Sequence, residues 1–534
     1  MKALFQKTKS ALREHAFFLL LLPLFFIYSG YNELFGFLPV VFVFKNLFII
    51  LIAAGIVYAV SFLFYRNKTK SSVFTFFISL LVLAFGYLQD LLKASGLPAL
   101  THKYSFQLLM VLFIIVAVFF IIKRSKSNFR ELYNFLNLLF IVLLLSEIPN
   151  SIKRYRLDKS VHNLIDFRFN AGNDYNPSSK IPDSAKPDIY FLVFDAMAST
   201  KSIQEGLKKD NSQLDTFLQQ KGFYVAADAH SNYNWTIHSL STTLNMDYLP
   251  SWIAPVMNDP KVYFWGSSSF LNNSLFQILK KEGYQTHSYQ QISFANKEWP
   301  GKTYFDYLKA YHFYFKTLPG RIYRDIFWNY LKIDADFIRK KQINIITNRI
   351  HEKKEYFDTT KAMVKQTCSL NGKPKFVYGH FMIPHEPFVF DSTGNLISAE
   401  ESLKLNAKRN DDAYYEQLVY AGKTIQELVT YIQQHNKKNT VIIVEGDHGY
   451  RTEEGNTAGY TFQNFNSFYF PDQNYSLLYD SITPVNSFRI VLNKYFNANL
   501  PLLKDSSILV TPQKETIRKS EKIQPVHTPS NPNQ

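Results

Sequence analysis

Five long apolar runs crowd into the first 150 residues, at about 16–36, 40–64, 72–92, 105–122 and 131–148. Each is close to the ~20 residues that a helix needs to cross a hydrocarbon core. Water is absent there, so the backbone must satisfy its own hydrogen bonds, and an apolar run of this length does so as a helix. The chain is therefore expected to hold a multispan α-helical membrane domain of about five helices over residues 1–150. The first run is too long, and too embedded in a multispan region, to be a cleaved signal peptide.

Basic residues alternate between the connections. Lys2, Lys7, Lys9 and Arg13 precede the first run; Arg66, Lys68 and Lys70 lie in the second connection; Lys123, Arg124, Lys126 and Arg130 lie in the fourth. The first and third connections are poor in them, although Lys93 and Lys103 flank the third. The bias puts the N-terminus inside and, after an odd number of spans, the rest of the chain outside. Lys153, Arg154 and Arg156 follow the fifth run and oppose that orientation. Asp90 and Lys93, near the end of the third run, read as interfacial charges rather than a proton path.

The net charge of +16 fits a protein working beside anionic lipid headgroups. The soluble part has no Lys/Arg block interleaved with aromatics, so nucleic acid is not expected as a partner. A single cysteine, Cys368, excludes internal disulfides and a thiolate metal cluster.

Residues 151–186 read as a polar linker containing AGNDYNPSSKIPDSAKP. An α/β domain is expected over 187–510, and a disordered tail over 511–534. The apolar runs 188–194, 222–229, 284–289, 376–382 and 440–446 read as strands. Segments 203–222, 272–283 and 414–435 carry helical spacing, the first two ending at Gly222 and Gly283. Strands alternating with helices imply a mostly parallel central sheet flanked by helices. Residues 296–370, rich in Tyr, Phe, Lys and Arg, suggest a substrate lid.

Four segments place reactive residue types where an open α/β sheet carries its chemistry, at the carboxyl ends of strands. Asp195 follows the first strand, and alone it reads as a helix N-cap. Thr236, in SNYNWTIHSLSTTLN, stands at a helix start, where N–H groups favour anions, and alone it too reads as a cap. His380 and His385 flank a later strand end in GHFMIPHEPFVFD. Asp447 and His448 follow the last strand in VIIVEGDHGYR, a pair suited to Zn²⁺ or Mn²⁺. Together, in this order, they form a recognisable series.

The soluble half resembles the alkaline phosphatase superfamily in its sulfatase-like branch, and within it lipoteichoic acid synthases and lipid A phosphoethanolamine transferases. The carriers are PDIYFLVFD, SNYNWTIHSLSTTLNMDYL, FMIPHEPFVFD, YYEQLVYAGKTI, VEGDHGYR and ITPVNSFRIVLNKYF. The resemblance implies that Asp195, Thr236, Asp447 and His448 bind one divalent metal ion, Zn or Mn, with Mg or Ca as alternatives. It makes Thr236 the nucleophile, and matches His385 to a histidine that contacts the transferred group. Two departures stand out. The envelope transferase groups carry Glu where this chain has Asp195, and Cys368 lies outside any C-x-P-x-R motif, which argues against a formylglycine sulfatase.

The expected activity is transfer of a phospholipid headgroup phosphoryl unit, of phosphoethanolamine or phosphoglycerol type, to a cell-envelope acceptor. The expected partners are a phospholipid or envelope glycan substrate and the membrane itself. The expected location is a bacterial inner membrane, multi-pass, with the catalytic domain on the periplasmic or extracellular side. A sequon at Asn234 overlaps Thr236 and favours a bacterial envelope over a glycosylating route. A phosphoester or sulfoester hydrolase with the same site and a non-catalytic scaffold are the alternatives.

Overall fold

The computed structural model describes residues 10–33, 40–164, 175–177, 181–249, 270, 273–291, 314, 316–322, 336–405, 410–450 and 460–510. The expected disordered tail and much of the expected linker and lid fall outside these residues. The chain forms two compact units, one built on the N-terminal helices and one on a mixed sheet.

The first unit contains α1 (Phe18–Glu33), α2 (Val40–Tyr65), α3 (Lys68–Ala94), a 3₁₀ turn (Ala99–His102), α4 (Tyr104–Arg124) and α5 (Arg130–Leu164). Four of these helices are long and apolar enough to cross a membrane, over Val43–Tyr65, Lys68–Lys93, Tyr104–Arg124 and Arg130–Ile152. Phe18–Asn32 is apolar but shorter. Large apolar side chains point outward along the helices, among them Phe44, Phe48, Leu63, Leu109 and Phe113. That is the pattern of a bundle whose solvent is lipid. The unit is a membrane-inserted domain. α5 continues past its apolar part into the stretch read as linker, because NSIKRYRLDKSVHNL has neither Gly nor Pro and is rich in good helix formers.

The two ends of this bundle differ. At one end Lys70 donates to the Lys123 carbonyl at 2.9 Å, and Arg13 pairs with Glu131 at 3.0 Å. Asn137 ties the chain before α1 to α5 there, accepting from Phe18 N and donating to the Leu12 and His15 carbonyls. The basic connections therefore share one end. The opposite end is held by Asn32 to Glu147 (2.9 Å), Tyr28 with Ser151 (2.6 Å) and Gln89 to Gln107 (3.0 Å).

Sequence beyond α5 returns to this second end. A short helix, α10 (Leu318–Arg321), groups with the membrane helices. Arg321 pairs with Asp90 at 2.5 Å and donates to Gln89 at 3.1 Å. Gly86 N donates to the Lys316 carbonyl at 2.9 Å. A Cβ at Gly86 would lie 2.7 Å from that carbonyl, so only glycine lets the backbones approach this closely.

The second unit comprises β1 (Asp188–Phe194), α6 (Thr200–Leu207), α7 (Ser212–Gln220), β2 (Tyr224–Val225), α8 (Thr236–Asn245), α9 (Ser274–Lys281), β3 (Gln285–Tyr289), α11 (Asp336–Thr367), β4 (Lys375–Phe381), α12 (Ala399–Leu405), α13 (Asp411–His435), β5 (Thr440–Gly446), β6 (Asn466–Tyr469) and α14 (Pro484–Phe496). The described strands form one sheet in the order β2-β6-β5-β1-β4-β3. β5, β1, β4 and β3 are parallel, while β6 runs antiparallel to β5. β1, β4 and β5 are buried throughout, as parallel strands covered on both faces must be. Tyr190, Leu192 and Phe194 pack toward α13, α11 and α7. Phe191, on the alternate face, meets Phe488 of α14, which also meets Phe376.

The helix read over 203–222 is two. Lys208 adopts a left-handed conformation and ends α6, and Asp210 then accepts from Ser212 N to start α7. The strand read over 222–229 contracts to Tyr224–Val225 at the sheet edge.

Gly446 ends β5 under the turn that follows β1. A Cβ there would stand 2.1 Å from the Met197 carbonyl, a backbone atom that cannot step aside. Gly446→Ala is expected to lower stability by about 1–3 kcal/mol through overpacking, read as a lower Tm of the full-length protein.

Candidate active site

β1 lies between β4 and β5, with Phe194 level with Phe381 on one side and Gly446 on the other. The residues just past these strand ends therefore emerge side by side. Asp195 leaves β1 with its N–H donating to the Phe381 carbonyl at 2.9 Å. Ala196 then turns with φ 61°, a left-handed conformation that costs a residue bearing a Cβ about 1–2 kcal/mol. The turn aims Ala196 N at Asp447 Oδ1, 2.8 Å away. Tyr414 of α13 fixes it by donating to the Ala196 carbonyl (2.8 Å) and accepting from Ala198 N (3.2 Å).

Asp195, Asp447 and His448 are buried, and one ligand-type atom from each lies within 4.8 Å of the others. His448 Nδ1 is 2.8 Å from the Gly449 carbonyl, which makes it the donor and turns the Nε2 lone pair inward. Nε2 stands 3.7 Å from Asp195 Oδ1 and 3.6 Å from Asp447 Oδ2. Neither of those two oxygens has a hydrogen-bond partner among the described residues. An unpartnered buried carboxylate oxygen is costly, and a cation placed between these two would relieve both. Two carboxylates and an imidazole form a donor set that fits a divalent ion.

The electrostatics agree. Burial raises the Asp195 pKa, but His385, His380 and His448 outweigh it and hold the carboxyl well below the usual range. Burial, reinforced by the charge of Asp195, pushes Asp447 up to about 7 against the opposing influence of His380 and Thr236. One site thus holds a firmly ionised carboxylate beside one that keeps its proton more tightly than an ordinary carboxyl.

Thr236 opens α8 as its first helical residue. The cap position belongs to Trp235, which makes no side-chain capping bond, so Thr236 is not the N-cap that its type suggests. Its hydroxyl lies close enough to Asp447 to favour the charged carboxylate, yet closes no hydrogen bond to Oδ2. Ser239, one turn on, donates to the Asp447 carbonyl at 2.5 Å and fixes α8 against the end of β5.

His380 is the penultimate residue of β4, buried, with Nε2 3.5 Å from Asp195 Oδ2. His385 lies beyond it, in a turn with cis peptides before Pro384 and Pro387. Its N–H donates to the Asp195 carbonyl at 3.0 Å, and its ring stands 6.4 Å from that of His448. His385, Glu386, Phe388, Ala196, Tyr414, His448 and Tyr450 line a small pocket. The structure thus gathers Asp195, Asp447, His448, Thr236 and both histidines around the same strand ends. Cys368, by contrast, is buried at the far end of α11, where it accepts from Tyr190.

Sequence reasoning missed the clamp on the His385 turn. Lys353 of α11 donates to the His385 and Pro387 carbonyls at 2.6 and 2.7 Å. Gln417 of α13 donates to the Pro384 and His385 carbonyls, both at 3.0 Å, and accepts from Val389 N and Phe390 N. Lys353 sits in the charged run HEKKEYF, which reads as a solvated face; Gln417 sits in YYEQLVYAGKTI without a spacing signal.

Metal binding should displace the proton that Asp447 holds below about pH 7. Apparent affinity for Zn²⁺ or Mn²⁺ is expected to fall as the pH is lowered and Asp447 takes up its proton, because the ion and the proton compete for the same carboxylate. Titration calorimetry of the full-length protein between pH 5 and 8 checks this; the same affinity at both ends of that range would contradict it.

The sulfatase family model matches residues 187–489, more than half of the chain. No curated protein matches it. Among solved structures, the chain is similar to the C-terminal periplasmic domain of Escherichia coli EptC, at 12% identity over 64% of this chain and 95% of that one, with a TM-score of 0.37. It is also similar to the lipooligosaccharide phosphoethanolamine transferase EptA of Neisseria meningitidis, at 12% identity over 91% and 95%, TM-score 0.35. A Vibrio parahaemolyticus protein of the alkaline phosphatase superfamily is similar at 11% identity over 63% and 75%, TM-score 0.34. On the family match, which spans every strand of the sheet and the whole candidate metal centre, this chain is a membrane-inserted, sulfatase-like enzyme and belongs to the sulfatase family.

Proposed function

We propose that the protein is a metal-dependent phosphotransferase that moves a phospholipid headgroup phosphoryl unit, of phosphoethanolamine or phosphoglycerol type, onto an envelope acceptor through Thr236. The observation that carries this reading is the Thr236 hydroxyl, at the first turn of α8 beside the Asp195–Asp447–His448 cluster. Asp195, Asp447, His448 and Thr236 would hold one divalent ion, Zn or Mn. When bound, the ion supplies positive charge that lowers the pKa of a hydroxyl and offsets negative charge on a transferring phosphoryl group.

The chain's own groups do the rest. Thr236 Oγ attacks phosphorus, and the bond to the diacylglycerol oxygen breaks. The free N–H groups of the first turn of α8 favour the anionic phosphoryl oxygens. His385 Nδ1 donates to the Glu386 carbonyl at 2.5 Å, which leaves the Nε2 lone pair to take the proton that the Thr236 hydroxyl loses and to return it to the departing diacylglycerol oxygen. The acceptor hydroxyl oxygen then attacks phosphorus, the Thr236 Oγ–P bond breaks, and the acceptor's proton returns to Thr236 Oγ through His385 Nε2. The clamp by Lys353 and Gln417 holds the His385 turn through this exchange. The basic end of the bundle supports a cytoplasmic N-terminus. The catalytic domain then lies on the periplasmic side of a bacterial inner membrane.

The test is diacylglycerol release by the full-length protein in detergent, with phosphatidylethanolamine or phosphatidylglycerol and Mn²⁺ or Zn²⁺. Thr236→Ala is expected to abolish release while metal affinity falls only modestly. Undiminished release by that variant would sink the nucleophile. Lys353→Met is expected to lower kcat about 10- to 100-fold by loosening the His385 turn, with the Tm within a few degrees of wild type. An unchanged kcat would remove the clamp from the reading.

A further inference from the structure

We propose that the cleft between α1, α3 and α5 holds one acyl chain of a glycerophospholipid, with the lipid phosphate against Lys316 at its end. The proposal rests on the phospholipid-donor reading and adds where the donor is gripped. The cleft is open and encloses about 560 Å³, with only apolar or aromatic side chains along it, including Leu22, Phe26, Phe76, Leu80, Ala84 and Phe140. In water such a lining would have to close up; within a bilayer it fills with hydrocarbon. Phe77, Leu80 and Phe135 on its rim are exposed, so lipid can enter from the side.

The mouth sets this cleft apart from an ordinary lipid-facing groove. Tyr87 stands at one end of the lining, and the Lys316 ammonium lies over its ring, 5.1 Å from the centroid. Lys316 belongs to no span. It is set in place by its own carbonyl, which accepts from Gly86 N, and by Arg321, which is locked to Asp90 and Gln89. The end concerned carries the Asp90 pairing and lies opposite the basic connections. An apolar slot finished by a fixed cation on an aromatic face complements an amphiphile with an anionic head. A lysine reads phosphate as a point charge, so the site selects a phosphodiester bearing long chains and not a particular headgroup.

The full-length protein in mild detergent, supplied with phosphatidylethanolamine, is to be compared with Lys316→Gln and Ala84→Trp by native mass spectrometry. Wild type is expected to retain one phospholipid, and each variant to bind it about tenfold more weakly. KM for the long-chain donor rises accordingly, while turnover of bis(p-nitrophenyl) phosphate, which has no tail, stays unchanged. Equal lipid retention by all three proteins overturns the proposal. So does equal loss of both activities, which would mark the cleft as packing only. Lipid retention is read without turnover, so a wild type that binds phospholipid but cleaves no phosphoester would sink the donor reading and leave the cleft standing.

Discussion

Two carboxylates buried beside each other at the end of a parallel sheet set the terms for everything around them. Asp195 and Asp447 repel, and desolvation penalises both. The fold surrounds them with donors and cationic groups. Ala196 N and His448 N donate to Asp447 Oδ1, while His380, His385 and His448 favour the charged Asp195. What these groups leave unmet is one oxygen of each carboxylate. Those two unmet oxygens, facing the same imidazole nitrogen, are the physical case for a cation.

The supporting structure follows from that demand. The left-handed Ala196 is tolerable because Tyr414 ties both sides of the turn. Gly446 is small because the Met197 carbonyl crosses directly over it. Ser239 fastens α8 to the Asp447 backbone and so sets the position of Thr236 relative to the cluster. The geometry of the candidate site is thus held mainly by side chains from distant helices that grip backbone atoms of the turns after β1 and β5, which resists the small displacements that reacting groups cannot tolerate.

Legibility in the sequence tracked locality. DIYFLVF and TVIIVEG are near-continuous apolar runs, and both strands occupy the positions their pattern implies. The Asp and Asp-His that follow them were visible because strand ends are where such folds do chemistry. β6 was not visible: NSFY is short and half polar, and it exists because Glu445 and its neighbours offer an edge to pair with. The break at Lys208 was hidden because a lysine in a left-handed turn looks like any helical lysine. Lys353 and Gln417 were illegible for a deeper reason. Their partners are carbonyls more than 25 positions away in the chain, and a carbonyl has no sequence signature.

The pairing of Arg321 with Asp90 bears on how such a protein can be studied in pieces. A fragment that starts after the last span keeps Arg321 and Lys316 but loses Asp90, Gln89, Gly86 and Tyr87. The guanidinium is then left without its carboxylate, and α10 without the helix it packs on. Such a fragment keeps the candidate metal ligands intact, yet it meets water with a patch that is covered in the full chain. Its solubility and its behaviour toward lipid would report on that uncovered patch as much as on the chemistry at Asp195.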